Sequence, residues 1–145
     1  MTNRIERLTA LHTSLVDALS GYREGLKDAH GRGVSQLFTE LIALHGGAAD
    51  AIAAQLQAMG APVDDSGSLM GRFDRAVMKI TSLLTALDDK IIPSLVDGER
   101  HVLHHYDRAI EASSPGHAEY PVLVAQREAL QRKVAEMLAR KEIPR

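Results

Sequence analysis

The chain contains no cysteine and no tryptophan, and its only aromatic rings beyond histidine are three tyrosines and two phenylalanines. The first absence removes disulfide frameworks, thiolate nucleophiles, zinc fingers and iron–sulfur clusters together. Scarce aromatics leave no stacking platform for bases, and a net charge of −2 with both signs mixed along the chain supplies no basic block for a phosphate backbone. No interaction with nucleic acid is expected. Nor does any uninterrupted apolar run approach the ~20 residues of a membrane span, and the opening "MTNRIERLTALHTSL" is charged and amphipathic, unlike a signal peptide. The expectation is a soluble, cytoplasmic protein with no membrane role. At 145 residues it is read as a single domain, 1–145, long enough to bury a core without metal or disulfide.

What remains is dominated by Ala, Leu and charged residues at helical spacing. Ile5, Leu8, Leu11, Leu15, Leu19, Tyr22, Leu26 and Ala29 step by three or four and predict a helix over about 3–30. The stretch "HGRG" turns the chain at 30–33. A second helix, to about 59, carries Val34, Leu37, Phe38, Leu41, His45, Ala48, Ile52, Leu56 and Met59. After the loop at 59–68, Leu69, Phe73, Val77, Ile80, Leu84 and Leu87 outline a third. Pro93 suits a first helical turn, so a fourth helix is expected from about 91–93 to 112. A break at "SSPGH" precedes a fifth, about 118–141, with Leu123, Leu130, Val134 and Met137. Five amphipathic segments with short connections predict an all-α, antiparallel up-and-down helical bundle.

The polar residues can be placed by the 100° advance per residue. Glu99 lies four residues after Leu95, three before Val102 and seven before Tyr106, so it falls inside the apolar stripe. Asp97, His101, His104 and His105 project from the other half. An isolated carboxylate inside a bundle is costly unless it ligates a cation, meets a base or accepts hydrogen bonds. His45, between Leu41 and Ala48, and the hydroxyls of Tyr22 and Tyr106 are the available partners, with Gln55 and Gln126 beside their stripes. Glu99, His45, Tyr22 and Tyr106 therefore form the candidate buried polar centre. The plainer alternatives are an ion pair with a neighbouring Arg or Lys, a wet helix end, or a subunit interface. His101 and His105, four apart with Asp97 one turn back, have spacing that permits metal capture, although surface histidines at this spacing are commonly just polar positions.

Three stretches, "GYREGLKDA" (21–29), "GSLMGRFDRAVMKI" (67–80) and "DGERHVLHHYDRAI" (97–110), resemble a bacterial family of ferritin-like four-helix-bundle proteins of unknown function. Glu24 matches that family's first-helix Glu, and Gly98, Glu99 and Tyr106 match its later Gly-Glu…Tyr segment. Asp74 and Arg100 depart from the family's His and acid. The resemblance implies a ferritin-like fold and no particular activity. Ferritin-like proteins often hold two metals with a Glu from each of two helices and a Glu-x-x-His from each of two others. Here Val102 stands where a His would follow Glu99, and Glu40 is followed by Ala43, with His45 five away. A partial metal set of Glu99, His45 and Glu24, taking Fe, Mn or Zn, is the most that could be assembled, although Glu24 falls roughly opposite the Tyr22/Leu26 stripe.

With no complete ligand set, triad or phosphate loop, the leading expectation is a non-enzymatic bundle acting through self-association, as a dimer, or through a protein partner. "GGAADAIAAQLQAMG" (46–60) is rich in small residues that let another helix approach closely. Two alternatives stay open: a metal-binding or redox bundle using the Glu99/His45 centre, and a small-ligand pocket oriented by Glu99.

Overall fold

A computed structural model describes residues 2–27, 32–63 and 91–139. It is all-helical, with four helices and no strand among the described residues: α1 (Thr2–Lys27), α2 (Arg32–Ala58), α3 (Ile91–Glu111) and α4 (Glu119–Ala139). The helix expected over 69–87 lies outside the described residues, as do 28–31.

Each helix buries the face its periodicity marks. Leu8, Leu11, Leu15, Leu19 and Tyr22 of α1 pack against Leu37, Phe38, Leu41, Ile52 and Leu56 of α2, Leu95, Val102 and Tyr106 of α3, and Leu123, Leu130 and Met137 of α4 in one core. Each such fully buried side chain contributes roughly 1.5–3 kcal/mol from lost apolar hydration. The main contacts join α1 to α2 and α3, and α4 to α3 and α2. By length and composition α2 could cross a membrane over Val34–Ala58, with a mean hydropathy of 1.2. About a third of that stretch is buried, and its apolar face lies in the core.

Two glycines shape the α1–α2 pair. Gly25 lets the helices approach: a Cβ there would sit 2.7 Å from Cε2 of buried Phe38. Gly60 ends α2 with φ +75°, where Ala61 N–H donates to Leu56 O at 2.9 Å and Gly60 N–H to Gln57 O at 3.0 Å. That pattern satisfies the last carbonyls, and only glycine adopts the conformation without strain.

A clasp fastens the start of α1 to the turn between α3 and α4. Arg4 donates from Nε and Nη2 to the two oxygens of Glu119, both at 2.8 Å, and Ser113 Oγ donates to Glu119 Oε2 at 2.8 Å. These bonds from Arg4, above all, hold the Glu119 carboxyl down to about 2, against the opposing effect of its burial. Glu119 also occupies the first turn of α4, where the helix dipole favours an acid.

Candidate functional site

The inward face of α3 runs through Leu95, Glu99, Val102 and Tyr106, and Glu99 is 0% exposed at the middle of the core. His45 Nε2 lies 2.9 Å from both Glu99 oxygens. The Tyr22 hydroxyl donates to Glu99 Oε1. The Tyr22 ring stacks on the His45 imidazole, centroids 5.8 Å apart and planes within 7°, and meets Phe38 on another side. Three helices thus each deliver one polar side chain to a single point. The His45–Glu99 bond also joins α2 to α3, which are not among the main packing pairs.

Burial, then the negative charge of Glu99 and the bond to it, raise the Tyr22 phenol well above its ordinary value, so it remains a donor across the working pH range. Where a Glu99 oxygen accepts, His45 presents Nε2–H, because both groups cannot act as acceptors. Tyr106, two turns further along α3, bonds elsewhere: its hydroxyl donates to Gln126 Oε1 at 2.9 Å, and Gln126 Nε2 donates to Ala48 O at 3.4 Å. Burial first, and the charge of Glu99 second, push the Tyr106 phenol up as well. Among the described residues no buried side-chain nitrogen or oxygen lacks a partner.

The arrangement is closed. General acid–base work needs a proton donor or acceptor within reach of a substrate, yet Tyr22, His45 and Glu99 are at most 1% exposed, and the Tyr22 hydroxyl and His45 Nε2 are both engaged with Glu99. As a metal site it is short of donors. A hard divalent ion asks for several carboxylate oxygens, and the described residues contain no group of three or more His, Asp or Glu suited to hold one. The residue three before His45 is Ile42, so α2 carries no Glu-x-x-His either.

A family model described as a domain of unknown function (DUF2383) matches residues 3–112. The chain belongs to the DUF2383 family. No curated protein and no solved structure matches it. The DUF2383 match contains Tyr22, His45 and Glu99, whereas α4, with Glu119 and Gln126, lies beyond it.

Within that DUF2383 span the other candidate residues sit apart from the centre. Glu24 does not join Glu99 and His45: it is exposed on α1 and accepts from Lys27 Nζ at 3.2 Å, because positions 22 and 24 differ by about 200° around a helix. Asp97 and His101 are exposed on α3. His105 is half-buried beside His104, ring centroids 6.0 Å apart, and desolvation, followed by the nearby charges of His104, His101, Arg108 and Arg7, lowers its pKa. Pattern reading overlooked the clasp between Arg4, within the span, and Glu119, beyond it. Its available signal was an acid in the first turn of a helix just after "SSPGH". Buried His12, 3% exposed on α1, was also overlooked, since it stands one residue off the Leu8/Leu11/Leu15 row.

Proposed function

We propose that this DUF2383 member is a ferritin-like bundle that works by binding rather than by catalysis, through self-association or a protein partner. The observation that carries the reading is the burial of the Glu99 centre: both carboxylate oxygens are engaged by Tyr22 and His45, and all three side chains are at most 1% exposed. Such a centre organises a core and leaves no group free to react.

The ferritin-like part draws support from which residues meet. Tyr22, late in α1, meets Glu99, in the first half of α3, while Arg4, at the start of α1, meets the α3–α4 turn. Glu40, early in α2, pairs with Lys133, late in α4. Neighbouring helices that run in opposite directions give these pairings. Residues 59–90 then separate α2 from α3, two helices running the same way on the bundle diagonal. Ferritin-like bundles likewise hold two helices that run the same way and are successive along one long connection.

Self-association draws support from α2, which exposes Ala43, Gly47 and Ala54 on one side. Small residues permit close helix approach. Light scattering across micromolar to millimolar protein tests it: the mass should rise above 15.8 kDa toward twice that value. Ala54→Trp should hold it at the monomer. A strictly monomeric wild type removes self-association and leaves the protein partner.

A second reading is favoured by one observation, the convergence of three potential donors, Tyr22 Oη, His45 Nε2 and a Glu99 oxygen. Elemental analysis of untagged protein for Fe, Mn and Zn decides between them. Stoichiometric metal that disappears in Glu99→Ala would replace the binding reading with a metal-binding one.

A further inference from the structure

A cavity of about 310 Å³ lies between α2 and α4 and borders the polar centre, with His45 among the residues that line it. Its walls are apolar and mostly small: Ala43, Gly47 and Ala48 from α2, Ala129 from α4, with Leu44 and Leu130 closing the sides. The inner end is neutral and polar, formed by Tyr106 and Gln126, which bond to each other at 2.9 Å. Gln126 has two amide hydrogens, and one long contact of 3.4 Å to Ala48 O uses at most one of them.

Leu44 and Ala129 also line a second hollow of about 290 Å³, so the two adjoin along the α2/α4 groove. This outer end is charged. Glu40 and Glu136 both engage Lys133. Arg132, exposed at the same end, has no hydrogen bond or ion pair among the described residues. The groove therefore runs from a neutral polar floor through a small-residue apolar channel to an uncommitted guanidinium. Gln126 and Arg132 stand six residues apart on α4, about 9 Å along the helix, which is close to the length of an octyl chain. The volume lies at the lower end of small-ligand sites.

We propose that the α2/α4 groove binds a medium-chain aliphatic carboxylate, its chain along Ala43, Gly47 and Ala129 and its carboxylate on Arg132. A guanidinium presents a planar fork that matches a carboxylate in two parallel hydrogen bonds. The walls exclude a bulky or multiply charged ligand, and the acids around Lys133 disfavour a second negative charge.

Titration calorimetry of the full chain with octanoate, 1-octanol and butyrate tests the assignment. Octanoate should bind one-to-one, about tenfold more tightly than octanol, which lacks the charge, or butyrate, which lacks the length. Arg132→Gln, on the surface and away from the core, should erase the advantage over octanol. Ala129→Phe, which fills the channel, should abolish binding of both, with its fold checked by circular dichroism. Non-saturating octanoate uptake, or unchanged affinity in Arg132→Gln, overturns the proposal. So does a stable dimer that Ala129→Phe dissociates and octanoate does not, because a second copy would then occupy the groove.

Discussion

Replacing Glu99 by alanine is expected to be among the most damaging single changes to this bundle. The substitution leaves the Tyr22 hydroxyl and His45 Nε2 without their acceptor at positions at most 1% exposed. An orphaned buried donor costs about 1–3 kcal/mol, so two of them bring the loss to about 3–5 kcal/mol, the range found when a buried pair is broken from one side. In a domain of this size that lowers Tm by roughly 10 °C or more. Glu99→Gln keeps the shape and one acceptor for Tyr22, and should lose only about 1–2 kcal/mol. Replacing the whole cluster (Tyr22→Phe, His45→Leu and Glu99→Leu together) removes every orphan and should recover most of the loss. Guanidinium unfolding at pH 7, followed by far-ultraviolet circular dichroism, gives all three values. A Glu99→Ala loss below about 1 kcal/mol, or a triple variant no better than Glu99→Ala, would refute the claim that mutual satisfaction holds this centre.

Three further outcomes are expected. Glu119→Gln should cost about 1–2 kcal/mol at pH 7, allowing for solvent screening at the rim. Because the folded carboxyl titrates near 2, below its unfolded value, that contribution is complete above about pH 4.5 and fades as pH falls toward 2, where wild type and variant should converge in acid unfolding. Gly25→Ala drives a methyl to 2.7 Å from Phe38 Cε2. The overpacking, about 1–3 kcal/mol, should outweigh the roughly 1 kcal/mol gain in helix propensity, and a rise in melting temperature would contradict it. His105 should titrate below 6.5 by nuclear magnetic resonance. Since its folded pKa is lowered, protonation opposes folding, and the penalty grows as pH drops below 6.5. His105→Asn should flatten the stability curve on that side.

The facing of Glu99 was legible because one carboxylate interrupts an otherwise apolar row at fixed helical angle, while His101 and Asp97 fall outside it. His45 and Tyr22 were visible on their own stripes for the same reason. Their meeting was not, because periodicity fixes an angle around a helix and says nothing of height along it. Heights decided which hydroxyl reaches Glu99: Tyr22 does, and Tyr106 turns to Gln126 instead. The Arg4–Glu119 pair joins residues 115 apart in sequence, and nothing local in either segment names the other. Helix boundaries came within a few residues where punctuation was strong. The last helix, expected over about 118–141, is described from Glu119 to Ala139.

The His45–Glu99 bond has a consequence for alignment. Leucine rows at helical spacing tolerate sliding, since one leucine can replace another a turn away. If α3 slipped by one turn, about 5.4 Å, Leu95 or Leu103 would arrive opposite His45, and the imidazole and the Tyr22 hydroxyl would both face hydrocarbon. The carboxylate therefore acts as a key that admits one register of α3, and an otherwise forgiving set of greasy helices becomes a single arrangement.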